Sequence, residues 1–353
     1  MIGPAAARHL HGANPSMQPT SAESTKAMAE PMIAAPPLVC VVVLTWNDTS
    51  MTRICLRHVF ASTYANMRVI LVDNGSREPC GRTLKAEFPG VELIEIPQNK
   101  GFAGGGNVGL TRAMALDPKY VLHLNNDAFV QPTAIERLVR TMEADGTIGI
   151  AHALLLYPNE ERVQFYRATL DRDLAWHDHH HVGEMLSSRE WPTVDSAFVP
   201  ACVIMYRAEA LQRVGLYDET FGTSWEDFDI CLRFTDAGWR IVAVGDARSE
   251  HRSHQTTGAS SPYIIYHMTR NRLICIGRYA NRLEFLRRFP RIARTFYWGV
   301  REYGFTNWSA HKSFVLGVWD FLRGNLGERS RFTTVDRSVR SKTSDPIPRN
   351  APD

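Results

Sequence analysis

Seven polar residues follow apolar runs of the sequence in a pattern that could bind a nucleotide. The runs "VVVLT", "VILV" and "VLHL" are rich in branched residues, and polar side chains end or follow each of them. Open α/β sheets bind ligands where parallel strands end, so we expect these side chains to converge on one crevice. An acid in such a place, as in "VDNGS", could also serve only as a turn former. The residues are Thr45, Asn47, Asp73, Asn74, Asn125, Asn126 and Asp127.

Asp127 follows two amide residues, so oxygen ligands for a hard divalent cation stand together in the sequence. A further ligand could come from His251 in "SEHRSH". A carboxylate, an imidazole and a substrate diphosphate together suit Mn²⁺ or Mg²⁺. We therefore consider Asp127 and His251 as candidate metal ligands.

The stretch "SWEDFDICLRF" concentrates the acids Glu226, Asp227 and Asp229 at the start of a predicted helix. Ser224 with Asp227 three residues later resembles a capping box, and acids in a first turn favour the helix dipole. Against this local explanation, neighbouring carboxylates repel one another unless a cation or a sugar hydroxyl is nearby. Both explanations are compatible with the sequence.

The stretch "GFAGGGNVG" contains Gly104, Gly106 and Gly109 in the spacing of a dinucleotide-binding turn, with Asp127 about 20 residues further on. Two strong apolar runs, in addition to "VELIEI" directly before it, precede this stretch, however, whereas the glycine turn of a dinucleotide-binding domain normally follows the first strand. The alternative is that the glycines let the backbone pass close to a nucleotide or another strand, with Asn107 capping the helix that begins there.

Four apolar runs in regular succession predict a doubly wound α/β sheet with helices on both faces. Segments compatible with helices separate the runs, as in a series of strand, helix and strand. Before the first run, residues 1–36 are rich in Ala, Pro, Met and Ser, which predicts a flexible leader. The predicted strands are "LVCVVVLTW" (38–46), "MRVILVD" (67–73), "VELIEI" (91–96) and "YVLHLNND" (120–127).

Composition and charge are those of a globular enzyme. The 353 residues carry a formal charge of +3, which is too balanced to predict nucleic acid as a partner. The six cysteines are scattered singly, which favours a reducing compartment. No apolar stretch has the roughly 18 residues of a membrane-spanning helix, and the N-terminus lacks the order of a signal peptide, so we expect a cytoplasmic protein.

Seven motifs, in order, resemble those of the family 2 glycosyltransferases, and most closely their rhamnosyltransferase-type branch. The likeness covers about residues 38–275. It implies a GT-A fold over 37–277 and inverting transfer of a sugar from a nucleoside diphosphate that carries a metal ion. The motifs are "VVVLTWND", "VILVDNGS", "NKGFAGGGNVGL", "LHLNNDAFV", "VPACVIMYRAEALQRVGLYDETF", "WEDFDICLRFTDAGWRI" and "SEHRSH".

The resemblance implies a role for each residue that matches a family motif. Asp227 matches the catalytic base of the "E-D" pair, and Glu226 would orient Trp225 or the acceptor. Asp127 and His251 match the metal ligands. The glycine stretch looks like the family's loop beside the sugar-nucleotide and not like a nicotinamide turn. The residues implied to contact the donor are Thr45, Asn47, Asp73, Asn74, Gly101, Asn107, Asn125 and Asn126.

Asn125 departs from the family pattern, because many relatives carry an acid in its place. The amide leaves one charge fewer to hold the metal, so we expect a low metal affinity, and it could contact the ribose or a phosphate instead. An amide there is compatible with the rhamnosyltransferase-type branch and does not by itself predict an inactive protein.

The function implied by these motifs is an inverting, metal-dependent hexosyltransferase with a dTDP- or UDP-linked donor, rhamnose being one candidate sugar. The acceptor would be a saccharide or a lipid-linked saccharide in surface polysaccharide or glycoconjugate assembly. One alternative is a nucleotidyltransferase, which would need a glycine-rich basic loop where the chain has "TWNDTSMTR". The other is an inactive sugar-nucleotide-binding scaffold, which would have no need of Asp127, Asp227 and His251 together.

Two further segments allow more than one interpretation. "HDHHH" (177–181) could suggest a metal site, but its histidines lack helical spacing, and we expect a surface loop near the acceptor.

Residues 281–301 interleave arginines with aromatic and aliphatic residues. Contact with the inner face of a membrane and a helix packed on the catalytic domain explain this pattern equally well. We expect a helical extension over 278–327 and a disordered tail over 328–353.

Overall fold

The computed structural model describes residues 35–78, 80–252, 261–281, 283, 284, 286–290, 294 and 307–328. From Pro36 onward the described residues belong to one compact unit. The predicted leader lies outside the described residues except for its last two positions, and the predicted tail lies outside them except for residue 328.

A central ten-stranded sheet confirms the predicted α/β class. The sheet contains β1 (Val39–Thr45), β2 (Met67–Asn74), β3 (Val91–Ile96), β4 (Tyr120–Asn125), β5 (Ala128–Val130), β6 (Ile148–Leu156), β7 (Val163–Phe165), β10 (Val194–Asp195), β11 (Val203–Arg207) and β12 (Arg240–His251). A separate hairpin pairs β8 (Arg167–Asp171) with β9 (Trp176–His180).

The strands lie in the order β10-β12-β6-β11-β4-β1-β2-β3, with β5 beside β12 and β7 beside β6. β3, β2, β1 and β4 are parallel and coincide with the four predicted runs. β11 lies antiparallel between β4 and β6, and β6 is parallel to β12. Every residue of β1 is buried, which explains its unbroken apolar sequence.

The described helices pack around this sheet and beyond its C-terminal strand. None of the helices in the described ranges is long and apolar enough to cross a membrane. They are α1 (Thr49–Phe60), α2 (Cys80–Glu87), α3 (Gly101–Met114), α4 (Ala134–Ala144), α5 (Ala208–Val214), α6 (Glu226–Asp236), α7 (Pro262–Tyr279) and α8 (Trp308–Leu322). α7 runs through the domain boundary predicted at residue 277, and α8 packs against α7.

The glycine stretch forms the first part of α3 and is not a loop. A Cβ added at Gly109 would lie 2.8 Å from Val72 Cγ2, and one at Gly105 would lie 2.7 Å from the Asn74 amide nitrogen. Since each glycine costs a helix roughly 1 kcal/mol relative to alanine, close approach to the sheet is what these glycines permit. Asn107 lies inside the helix, so the expectation that it caps the helix is wrong.

Candidate functional site

A buried hydroxyl network joins the ends of β1 and β4. Thr45 Oγ1 lies 2.7 Å from Thr52 Oγ1 on α1, and the Asn126 amide donates to Thr52 Oγ1 at 3.0 Å. Thr45, Asn126 and Thr52 are all nearly inaccessible to solvent. The structure therefore brings together two of the residues predicted to contact the donor.

Asp73 and Asn47 fix the turn that follows β2. The Asp73 carboxylate accepts hydrogen bonds from the backbone N–H groups of Ser76 at 3.0 Å and Gly81 at 2.8 Å. Asn47 Oδ1 accepts from Arg77 N–H at 2.8 Å. Asp73 and Asn47, which were both predicted to contact the donor, thus accept hydrogen bonds from the protein backbone and shape the loop after β2.

The N-terminus of α3 bonds to protein groups and not to an open site. Its first N–H groups would have to be free to hold a diphosphate in the manner of a dinucleotide-binding turn. Instead, they are used within the chain, so the dinucleotide interpretation is wrong. The N–H groups of Gly101, Phe102 and Ala103 bond to Asn99 Oδ1, Thr223 Oγ1 and Gly222 O at 2.7, 3.2 and 2.8 Å.

Asn74 and Asn107 position segments near the site through their side-chain amides. Asn74 donates to Gly101 O at 2.9 Å and accepts from Lys100 N–H at 3.0 Å. Asn107 donates to Tyr217 O at 2.9 Å and accepts from Tyr217 N–H at 3.0 Å. Their contact with the donor stays a prediction. In the structure, Asn74 positions the backbone at residues 100 and 101, and Asn107 positions the backbone at residue 217.

Asp127 and His251 lie together as predicted for metal ligands. Asp127 Oδ1 is 3.3 Å from His251 Nε2, in the turn after β4 and at the end of β12 respectively. Burial opposes a charge on His251, but the Cys202 side chain and the Asp127 carboxylate outweigh it and raise the pKa of His251 to about 10. A cation bound to Nε2 would displace this proton, because only a neutral imidazole is a metal ligand. Gln164 faces the other ring nitrogen, with Oε1 3.2 Å from Nδ1.

This donor set fits a divalent cation that keeps substrate phosphates among its ligands. Asn125 Oδ1 is buried without a hydrogen-bond partner in the described part of the chain, and Asp127 Oδ1 has none there apart from the imidazole of His251. Within the described ranges no group of three or more His, Cys, Asp or Glu side chains could hold a metal ion. A cation held by Asp127 and His251 would leave its other positions to a diphosphate.

Glu226 and Asp227 begin α6, and both have raised pKa values. Asp227 is half-buried, and burial raises its carboxyl pKa to about 6, although the backbone N–H groups of Phe228 and Ala201 favour the charged form. For Glu226, burial and then the Asp227 charge raise the pKa well above its usual range. At neutral pH, Asp227 is therefore the charged member of the pair and Glu226 the neutral one.

The turn before these acids has a strained backbone. Trp225, the residue that precedes α6, has a φ of 73°, and no side chain caps the helix. Ser224 has a φ of 67°, so the capping-box explanation is wrong. Non-glycine residues held in this region cost of order 1–3 kcal/mol and cluster at functional sites. This strain supports a functional role for Glu226 and Asp227.

Asn271 on α7 holds this turn in place. Its amide nitrogen lies 2.7, 2.8 and 2.7 Å from the carbonyl oxygens of Phe221, Thr223 and Ser224. Asn271 is completely buried. Sequence reasoning missed this residue, because the contact joins segments distant in the chain. The one available signal was a polar "RNR" inside an otherwise apolar helix.

The β8–β9 hairpin places stacked rings beside the same turn. His177 stacks on Phe198 with 4.1 Å between ring centroids and lies 6.1 Å from Trp225. His179 stacks on His177 at 4.8 Å. Burial lowers the pKa of His177 to about 3, so this ring is neutral. "HDHHH" lies at the surface as predicted, but most of it is a strand and not a loop, with aromatic contacts near the acids.

One turn at residues 201 and 202 connects the two acidic centres. Asn125 N–H donates to Cys202 O at 3.0 Å, and Cys202 is also a neighbour of His251. The N–H of the adjacent Ala201 stabilises the Asp227 carboxylate. The predicted metal ligands and the predicted base thus flank the same short segment at the start of β11.

Comparison with known proteins identifies the family to which residues 40–215 belong. Residues 40–215 match the model of glycosyl transferase family 2, and this part of the chain belongs to that family. The match ends before α6, and the roles of Asp127, Asp227 and His251 stay predictions.

The most similar curated relatives are named as glycosyltransferases. The chain is 29% identical over 212 residues to the pre-mycofactocin glycosyltransferase of Mycobacterium tuberculosis. The alignment covers 58% of this chain and 40% of that protein. The chain is 25% identical over 218 residues to glycosyltransferase GlyG of Streptococcus pneumoniae, with 59% and 68% covered. The aligned part therefore spans less than half of the first relative.

The fold is also that of a solved GT-A enzyme. The structure of GalNAc-T7, crystallised with UDP, GalNAc and Mn²⁺, matches this chain with a TM-score of 0.57 at 16% identity. The match covers 82% of this chain and 58% of that one. The predicted GT-A fold is confirmed.

Proposed function

We propose that this chain is an inverting, metal-dependent glycosyltransferase that moves a sugar from a nucleoside diphosphate to an acceptor hydroxyl. The observation that supports this most directly is the arrangement of two acidic centres around one turn. His251, which pairs with Asp127, neighbours Cys202, and the Asp227 carboxylate accepts from the N–H of the adjacent Ala201. A donor diphosphate and an acceptor hydroxyl need two such centres close together.

Asp127 and His251 would hold the cation. When bound, it would neutralise the charge that develops on the leaving diphosphate. GalNAc-T7 was crystallised with UDP and Mn²⁺, which makes Mn²⁺ the first ion to test, while Mg²⁺ suits the same oxygen ligands.

Asp227 would act as the general base. In an inverting transfer the acceptor oxygen bonds to the anomeric carbon while the bond from that carbon to the diphosphate oxygen breaks. The acceptor proton passes to the Asp227 carboxylate, which a pKa of about 6 leaves charged at neutral pH. Neutral Glu226, whose Oε2 has no hydrogen-bond partner among the described residues, would orient the acceptor.

The finer identity of the substrates is part of the proposal. The motifs resemble the rhamnosyltransferase-type branch, so a dTDP- or UDP-linked hexose, with rhamnose a candidate, would be the donor. The acceptor would be a saccharide or lipid-linked saccharide of a surface polysaccharide or glycoconjugate, with the reaction on the cytoplasmic side of the membrane. Thr45, Asp73 and Asn126, which hydrogen-bond at the ends of β1, β2 and β4, would lie beside the base and ribose.

Thermal unfolding with nucleoside diphosphates tests the donor site. We expect UDP or dTDP with Mn²⁺ to stabilise the protein, by about 2.7 kcal/mol at 100 times the dissociation constant, and less without the metal. Asp127→Asn should remove the part that depends on Mn²⁺. The matched control is Asp246→Asn, which changes an exposed acid on β12 and should keep the full effect. Stabilisation by NAD alone, or an equal shift with and without Mn²⁺, would contradict the proposal.

A further inference from the structure

α8 buries small residues against the protein and leaves several of its large apolar residues exposed to solvent. Phe314, Leu316, Val318 and Phe321 are half-buried. A helix packed on one side of a protein ordinarily buries its large apolar side chains, so the exposed ones need an explanation. Its buried residues are Ala310, Ser313, Gly317 and Asp320. Its exposed large residues are Trp308, Val315, Trp319 and Leu322, at 81, 62, 50 and 71% of their full accessibility.

The contacts of α8 with α7 fix this orientation. A Cβ at Gly317 would lie 2.9 Å from Tyr266 O, so only a residue without a side chain fits at this contact. Asp320 Oδ2 accepts a hydrogen bond from the buried Tyr266 hydroxyl at 2.7 Å. Rotating the helix to bury its tryptophans would break this bond and press larger side chains against α7. The apolar face is therefore held outward.

The exposed side of α8 carries cations and no acid. Lys312 is exposed within the helix, and Arg323 follows its last residue, with the guanidinium carbon 4.3 Å from the centre of the Trp319 ring. Asp320, the one acid in the sequence of α8, is 1% exposed. Tryptophan beside cationic side chains is the composition of helices that lie in the headgroup layer of anionic membranes.

We propose that this α8 face, formed by Trp308, Lys312, Val315, Trp319, Leu322 and Arg323, docks on the surface of a bilayer that contains anionic lipid. The helix would lie parallel to the membrane, since four apolar side chains along about 20 Å of one face can enter the headgroup layer together. This face lies outside residues 281–301, for which the sequence left membrane contact and packing on the catalytic domain equally open and most of which lie outside the described residues. It is independent of the proposed transferase activity.

A second copy of the chain fits this face less well than a lipid surface. A two-fold interface would place the same patch on both subunits. Lys312 and Arg323 would then face like charges with no acid on the α8 face to compensate, which is unfavourable. Anionic headgroups supply the opposite charge, and the acyl boundary accepts the indole rings and aliphatic side chains.

Co-sedimentation of the full chain with vesicles tests the proposal. We expect binding to vesicles of phosphatidylcholine mixed with phosphatidylglycerol and weaker binding to phosphatidylcholine alone. Trp308→Ser with Trp319→Ser should lower the affinity about tenfold or more, because each indole loses apolar burial. Lys312→Glu with Arg323→Glu should remove the preference for anionic lipid.

The chain offers a matched control pair in Phe60 and Trp176, which are 43 and 42% exposed. Phe60→Ser with Trp176→Ser removes two exposed rings elsewhere and should leave vesicle binding unchanged. Wild-type protein that binds neither vesicle, or a Trp308→Ser, Trp319→Ser variant that binds like the wild type, would overturn the proposal. Self-association lost in that variant, without lipid binding by the wild type, would assign the face to a second copy. UDP–Mn²⁺ binding, measured without vesicles, reports on the donor site separately.

Discussion

Of the two adjacent carboxyl groups at the start of α6, Glu226 is protonated and Asp227 is ionised at neutral pH. Glu226 is 5% exposed and Asp227 is half-buried, so desolvation raises the pKa of both, and the Asp227 charge raises that of Glu226 further. The backbone N–H groups around Asp227 favour its charged form. The repulsion that the sequence already indicated at "WED" is thus resolved by keeping Glu226 protonated.

Asp227→Asn tests the assignment of the base. We expect the rate of sugar transfer to fall by about 10²–10⁴, because the amide cannot take the acceptor proton. Binding of UDP with Mn²⁺ should stay close to the wild-type level. Glu226→Gln is the paired comparison, and its main effect should be on the acceptor KM. Transfer by Asp227→Asn at more than about a tenth of the wild-type rate would contradict the assignment.

The pH dependence follows from the same pKa. Transfer by the wild type should rise with pH through about 6 and then level off, since Asp227 must lose its proton to act as a base. The folded pKa lies above the unfolded value of 3.8, so the protonated form stabilises the fold at low pH and this contribution is lost as pH rises through about 6. Asp227→Asn should therefore not destabilise the protein at pH 7, which a purely structural carboxylate would.

At the scale of elements, strands were easier to predict than the glycine helix. β1, β2 and β4 are parallel and largely buried, so each contains an apolar run, whereas β3 at the edge of the sheet is only partly buried and carries two glutamates. "GFAGGGNVG" has low helix propensity, and only its contacts with β1 and β2 explain why it is helical. A sequence alone gives no sign of such packing, because the partner residues lie far away in the chain.

Gly109→Ala measures how closely α3 packs on the sheet. The new methyl group would lie 2.8 Å from Val72 Cγ2 and closer to Val42. Overpacking costs about 1–3 kcal/mol, which we expect to exceed the gain of roughly 1 kcal/mol from helix propensity. Urea unfolding should show a net loss of stability. Gly146→Ala, with nothing within 4 Å of its new Cβ, should change stability by less than about 0.5 kcal/mol. Equal stability of the two variants would mean that α3 can shift freely.

The β8–β9 hairpin and β11 show a second limit of the sequence. β11 enters the sheet antiparallel between β4 and β6, an order that no local pattern specifies. The histidines of "HDHHH" were classed by their polarity, whereas His177 contacts Phe198 and Trp225 from other parts of the chain. Residue types at strand ends were predictable, but the elements that enclose them were not.

At the scale of the whole molecule, α7 connects the candidate site with the segment after α8. Arg270 is completely buried and donates to Phe221 O at 2.8 Å, in the turn before Glu226. The same guanidinium donates to Gly327 O at 2.7 Å. The predicted extension over 278–327 is thus joined, through one side chain, to the turn that positions the acids. A motif search misses this connection because Arg270 belongs to no motif quoted from the sequence.

Arg270→Lys tests whether this connection holds the molecule together. The planar guanidinium reaches Phe221 O and Gly327 O at once, and a lysine ammonium on a single stem cannot keep both bonds. Phe221 O keeps its bond from Asn271, so the cost falls mainly on Gly327 O. Because a buried carbonyl left without a donor costs about 1–3 kcal/mol, we expect a loss in that range in urea unfolding. The rate of sugar transfer should fall as well, because the turn before Glu226 loses a hydrogen bond that supports it.

Arg287→Lys is the control. It changes an exposed arginine that contacts only Glu284 in the described part of the chain, and should alter stability by less than about 0.5 kcal/mol. If Arg270→Lys were as mild as this control, the candidate site would be supported by α6 and the sheet alone, and the C-terminal segment would fold against α7 without affecting transfer.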